Sequence, residues 1–388
     1  MNATLSKFID TSRWIAAACV LITHLNDRTF TVLANIPAEH RGPGLALWVF
    51  LYGFAHQAVV VFFVLSGFLV GGAVLTRAQA GSLDMRRYCL DRTIRIYLVL
   101  VPALALTTIF DMLGRYFFGA SIYAEETASG HFGAWLWLGN LLSLQDIFVP
   151  YWGTNSALWT LSHEYWNYIT FPLLCMPLMR DLPASTRALG FVAGLLLLIT
   201  MSITGSWHLF GFFIWVAGAL AILPRRALIS SKWLSLAIFL IISVSCRLTF
   251  RFADLQSGYL GDLVDLAIAL SFANLLLTMR FAKSGWRALN WRGHVWLSEF
   301  SYSLYAIHMP LITFLCAAAQ RQFGIGWRNV PTTAAHWLLA AGILAIAFLS
   351  AWAFSRVTEA KTAFVRGWLN VILSRPTKQP PTALPHAG

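Results

Sequence analysis

The sequence predicts an all-α, polytopic membrane protein with about ten transmembrane helices and both termini in the cytoplasm. Composition gives the class. Hydrophobic residues make up 58% of the 388 residues and charged residues only 11%, and the mean hydropathy is +0.66. A soluble domain carries about 25% charged residues. Charge placement gives the topology. With the N-terminus inside, 21 of the 28 Lys and Arg fall on the cytoplasmic side and 7 on the other. This is the positive-inside pattern. The net charge of +12 therefore needs no nucleic-acid partner; the bilayer is partner enough.

The first span lies within 9–33. Only ten residues, all but Thr23 apolar, separate Arg13 from His24, about 15 Å of helix. A bilayer core is about 30 Å thick. A spanning helix must then extend past its polar ends and carry Arg13, His24 or Asp27 near the hydrocarbon. Arg13 and His24 are eleven residues apart and project from one face, roughly 16 Å apart. Further spans are read at 54–75, 96–118, 157–178, 188–204, 209–223, 234–250, 263–279, 295–319 and 334–354. The apolar segment 135–144 is too short to span and reads as a re-entrant or interfacial piece of a long external loop. Residues 1–374 form one membrane domain, and 375–388 read as a disordered cytoplasmic tail. No small-residue cleavage site follows the first apolar run, so that run is expected to stay as a helix. Cys19, Cys89, Cys175, Cys246 and Cys316 show no CxxC or zinc spacing. Neither a disulfide framework nor a metal site is expected.

Five constellations could carry chemistry. His24 is either a helix-end histidine bonded to a neighbour or a general base, with Asp27 placed to orient it. Asp10 and Arg13, at i and i+3, could pair. Ser66-Gly67 interrupts an apolar helix, which points first to close helix packing. Arg86, Arg87, Arg92 and Arg95 are either topology signals or a phosphate clamp. Glu164 lies inside the fourth span, where a carboxylate needs a partner. That partner is either His163 or a basic group from another helix. Ser301, Tyr305 and His308 follow at i, i+4 and i+7, a polar stripe that reads as a site wall. Pro310 frees a backbone carbonyl there that protein or water must satisfy.

These motifs together resemble the membrane acyltransferase 3 family. The resemblance rests on Asp10-x-x-Arg13 with His24 eleven residues on, Phe63-Val64-Leu65-Ser66-Gly67-Phe68, Arg92-x-x-Arg95, Trp159-Thr160-Leu161-Ser162-x-Glu164, and Ser301-Tyr302-Ser303-Leu304-Tyr305-x-x-His308-x-Pro310. His163 departs from the small or apolar residue usual at its position. The resemblance implies transfer of an acyl group, often acetyl, from cytoplasmic acyl-CoA to a hydroxyl of a glycan or lipid-linked saccharide, at a bacterial inner membrane. It implies functional roles for Arg13, His24, Arg92 and Arg95, and Glu164 and His308 match its recurring motifs. Catalysis is thus expected of His24, Arg13, Glu164 and His308, donor binding of Arg92, Arg95, Arg86 and Arg87, and substrate contacts from Ser301, Tyr305 and Trp159. No metal is implied, and the oligomeric state is left open. The rival class is a proton-coupled transporter or flippase with His24, Glu164 and His308 as its relay. A non-catalytic scaffold leaves the buried charges unexplained.

Overall fold

The computed structural model describes residues 2–118, 122–204, 207–252 and 259–373. Among them the chain forms helices and no strand, with isolated bridges only at Phe30–Asn329 and Gln145–Val149. Helices satisfy their amides internally, which a lipid environment requires.

Helix α1 (Ala3–Thr29) opens on Asn2, whose side chain accepts from Leu5 N at 2.8 Å, a standard N-cap arrangement. Its 27 residues make about 40 Å of helix. It therefore runs well past Arg13 on one side, as the short apolar run demanded. Helix α2 (Pro43–Tyr52) starts on a proline, α3 (Ala55–Ser66) follows, and a π-helical turn over Gly67–Gly71 leads into α4 (Gly72–Gln79). Helix α5 (Met85–Phe118) is 34 residues long. The segment up to the next long helix holds the short helices α6 (Ala124–Ala128) and α7 (Ala134–Leu141). Then come α8 (Trp159–Leu174), α9 (Ala184–Ser202), α10 (His208–Leu220), α11 (Lys232–Phe252) and α12 (Tyr259–Phe281). The chain breaks at Phe300 between α13 (Gly293–Glu299) and α14 (Ser301–Phe323). Helix α15 (Ala334–Val357), a short 3-10 turn at Glu359–Lys361 and α16 (Thr362–Leu373) complete the described chain.

A helix occupies each of the ten expected span positions. Among the described residues, seven stretches are long and apolar enough to cross a membrane: Ala3–Thr29, Pro43–Gln79, Met85–Phe118, Ala184–Ser202, Leu260–Phe281, Ser301–Phe323 and Ala334–Leu369. Helices α8 and α10 have 16 and 13 residues, about 24 and 20 Å, less than a bilayer core. The expected ninth span started too early, because Phe300 ends one helix before Ser301 begins the next. The segment expected to be short and apolar at 135–144 holds the eight-residue α7. The expected tail, 375–388, lies outside the described residues.

Helix α14 sits at the centre, buried along most of its length and packed on α1, α5 and α15. Helices α3 and α10 approach backbone to backbone. A Cβ at Gly67 would lie 1.8 Å from the Trp215 carbonyl oxygen, and one at Gly218 would lie 2.2 Å from that of Val64. Close packing is thus what Gly67 is for, as expected of small residues in such a helix. Ser66, the last residue of α3, enters the bundle just before the π turn.

Candidate functional site

Helices α1, α3, α5, α8, α10 and α14 enclose a cavity of about 210 Å³. One wall is apolar, including Val59, Phe62, Leu65 and Ile96. The rest carries Arg13, Arg92, Arg95, Ser66, Glu164, Tyr168, Ser301, Tyr302 and Tyr305. Residues from all five sequence constellations therefore line one space outright, while His308 packs on the lining residue Tyr305 and His24 packs on His308.

Ser66 is the junction of a hydrogen-bond network. Its Oγ donates to Glu164 Oε1 at 2.7 Å, accepts from Trp215 Nε1 at 3.0 Å and lies 3.2 Å from Tyr168 Oη. Tyr168 Oη also donates to Glu164 Oε1. Glu164 and Tyr168 are four residues apart on α8, one turn, so both face α3. The charge of Glu164 acts on both Arg13 and Arg95. The expected partner His163 points elsewhere. Its Nε2 pairs with Asp146 Oδ2 at 2.9 Å and its Nδ1 meets His208 Nδ1 at 3.1 Å. Consecutive helical residues do not share a face, so His163 cannot serve Glu164; the hydroxyls of Ser66 and Tyr168 do.

Arg13, Arg92 and Arg95 converge from α1 and α5. Arg92 lies over the rings of Tyr88 and Tyr168, at 5.8 and 5.9 Å. Its buried Nε has no hydrogen-bond partner among the described residues. A buried, unanswered guanidinium donor beside two further arginines suits a phosphate-bearing ligand. Asp10 accepts from Ser298 Oγ at 3.2 Å while its charge acts on Arg13. Arg86 and Arg87 are exposed and line no part of the cavity.

The polar stripe on α14 leads away from the arginines. Ser301 and Tyr305 line the cavity, and Thr160 Oγ1 donates to Tyr305 Oη at 2.9 Å. One turn on, His308 Nδ1 lies 2.8 Å from the Tyr305 carbonyl oxygen and 3.2 Å from that of Leu304. A carbonyl only accepts, so Nδ1 carries the hydrogen and Nε2 keeps its lone pair when the ring is neutral. That Nε2 is buried with no partner among the described residues. His24 stacks on this ring, centroids 5.3 Å apart and planes 29° apart. Its ring neighbour is therefore His308. Asp27, expected to orient His24, lies instead 3.5 Å from Asn26 Nδ2, under the charges of Arg28 and Arg328. Trp159, expected on the acceptor side, packs on His163 and Trp207 at 5.4 and 5.6 Å, away from the cavity.

Three residues around the site escaped the sequence reading. Pro310 cannot donate to the Ala306 carbonyl, and Asn155 Nδ2 does so at 3.0 Å, which answers the freed acceptor. Asp111, fully buried on α5, accepts from Thr154 N and Oγ1 at 2.8 and 2.7 Å. It pins the segment that carries Asn155. Glu359 accepts from Ser303 N at 3.0 Å and Ser303 Oγ at 2.7 Å. Only Pro310 offered a signal, and it named a need without naming the residue that meets it.

The fold and the cavity define a multi-helical membrane protein with a charged site inside its bundle. Residues 6–356 match the family model of the acyltransferase domain of the acyltransferase 3 type, and the chain belongs to that family. It is a membrane acyltransferase. No curated protein and no solved structure matches it.

Proposed function

We propose that the protein moves an acyl group, above all acetyl, from cytoplasmic acyl-CoA to a hydroxyl of an extracytoplasmic glycan, such as O-antigen, exopolysaccharide or lipo-oligosaccharide. In this reading ten helices cross a bacterial inner membrane, with both ends of the chain in the cytoplasm. What supports it is a run of neighbouring polar side chains. Arg13, Arg92 and Arg95 stand at one end of the cavity, and Tyr305 leads from it to the stacked His308 and His24. About 30 Å of hydrocarbon separates a cytosolic donor from an external acceptor. A deep path of this kind is what lets the two meet.

The roles follow from the chemistry. Arg92, Arg95 and Arg13 hold the donor's phosphates by charge-assisted bonds. His24 takes the proton of the acceptor hydroxyl as its oxygen attacks the thioester carbonyl. Tyr305 Oη supports the oxyanion that forms. The carbon–sulfur bond then breaks, and the histidine's proton goes to the leaving sulfur. His308 holds the imidazole face of His24 and presents its own Nε2 lone pair alongside. Glu164 keeps Arg13 and Arg95 paired within the bundle.

The test is mass spectrometry of cell-surface glycans from cells with the intact gene, a deletion, and His24→Ala. Acyl groups present with the intact gene and lost in both others are expected. Identical acylation of every candidate glycan with and without the gene would refute the acceptor class.

A further inference from the structure

One end of the cavity is apolar and takes no part in the chemistry proposed above. Helix α3 faces the cavity with Val59, Phe62, Phe63 and Ser66, at i, i+3, i+4 and i+7, a single stripe of a helix. The stripe is apolar until its last residue. Ser66 is tied into the polar network by its 2.7 Å bond to Glu164. Phe62, one turn earlier, packs edge-on against Tyr305, with ring centroids 5.9 Å apart. Val59, one turn earlier again, is buried, as is Leu161 of α8, and both line the cavity. Thr160 Oγ1 donates to Tyr305 Oη at 2.9 Å. The phenol's own hydrogen is therefore not spent on Thr160 and can go to an oxygen in the cavity. Polar chemistry thus begins at Tyr305 and Ser66, and Phe62 stands at the change from one kind of wall to the other.

We infer that Val59, Phe62 and Leu161 form the pocket for the donor's acyl chain, and that Val59 sets the length it accepts. This rests on the donor reading proposed above, in which Tyr305 holds the thioester oxygen. A carbonyl bonded to Tyr305 Oη has Phe62 beside it, so the atoms beyond the carbonyl carbon meet the apolar wall. From Phe62 to Val59 is three residues, about 4.5 Å of helix, the length of about three carbon–carbon bonds. The class that fits is an uncharged aliphatic acyl group of about two to four carbons. Acetyl, the shortest member, leaves part of the pocket empty. A carboxylate at the end of the chain would be buried against Val59 and Leu161, which is costly.

The test is calorimetry of the full chain in lipid nanodiscs, with empty nanodiscs as the blank. The probes are coenzyme A and its acetyl, butyryl, octanoyl and succinyl thioesters. Each buried methylene strengthens binding about threefold to fourfold, so wild type should bind the butyryl thioester about tenfold tighter than the acetyl one. The octanoyl chain should gain nothing further, and the succinyl thioester should bind at least about tenfold weaker than the butyryl one. Val59→Phe fills the far end of the pocket. It should abolish the preference for butyryl over acetyl, with binding of coenzyme A itself within about twofold of wild type. A folded Val59→Phe protein with the wild-type chain-length profile overturns the inference. If that variant does not fold, Val59→Ala decides. It deepens the pocket, and the octanoyl thioester should gain about threefold or more over the butyryl one; an unchanged profile overturns the inference. Wild type that binds coenzyme A and all four thioesters equally refutes the pocket and keeps the donor reading. Wild type that binds none of the five probes refutes both.

Discussion

Two histidine pairs sit in this bundle at nearly the same ring separation. His163 and His208 lie 5.0 Å apart and His24 and His308 lie 5.3 Å apart, centroid to centroid. The first pair is bonded nitrogen to nitrogen, and Asp146 holds the far side of His163. Its surroundings are Trp159 and Trp207. The second pair meets face to face. One of its rings is fixed by a backbone carbonyl, and that ring's Nε2 has no partner among the described residues. It adjoins Tyr305, which lines the cavity. Hydrogen bonds spent on neighbours hold a helix in place. A lone pair with no protein partner, next to a cavity, is available to a substrate. In the reading proposed above, the pair beside Glu164 in the sequence holds the fold, and the pair assembled from α1 and α14 carries the chemistry.

The strongest way to break this contrast is His24→Ala. Loss of the general base should cut acyl transfer by about 10²-fold or more, with coenzyme A binding within about twofold of wild type. Full transfer by a folded variant, measured by product mass spectrometry, would remove His24 from the mechanism. His308→Asn is next. The amide nitrogen can keep the bond to the Tyr305 carbonyl, while the Nε2 lone pair is lost. Transfer should fall by about 10- to 100-fold. Wild-type rates would mean that only the bond to the carbonyl matters, and His308 would join the structural pair. Arg95→Ala sharpens the other end of the path. Losing one charge-assisted bond should raise the KM for acyl-CoA about tenfold, with kcat changed only a few-fold. A kcat loss at constant KM would move Arg95 from donor binding to the chemical step.

Much of the fold was legible because long apolar runs admit few structures in lipid. Each expected span has a helix at its place. The site was legible as a set of residues and much less as a set of pairs. Arg13 and His24 were assigned to one face from spacing alone, and both now adjoin the α14 stripe at different levels. Glu164 was assigned a need for a partner. The helical period already spoke against His163, which is one residue away and so turned about 100° from it. What the period could not supply was Ser66, since it meets Glu164 from another helix, α3. Asp27 failed for a tertiary reason, because α14 brings an aromatic partner to His24 that local spacing cannot reveal. Glu359 was invisible for another reason. It follows the last apolar span, where charges read as topology signals, and only the turn after α15 carries it back to α14.

The smallest expected effect is the most discriminating. Asp146 has a left-handed backbone with φ of 65°, a conformation that asparagine also tolerates. Asp146→Asn therefore leaves the loop unstrained and removes only the charge facing His163. The Asp146 side chain is 47% exposed, so solvent screens the pair and its loss should cost at most about 1 kcal/mol of stability. Acyl transfer should stay within about twofold of wild type, because nothing in this cluster reaches the cavity. A thermal shift assay beside the glycan measurement separates the two quantities. A drop in transfer as deep as that of His308→Asn, with stability intact, would put both histidine pairs on one proton path. The division between a holding pair and a reacting pair would then fail, and the bundle would carry a relay running through α8 and α10 as well as α1 and α14.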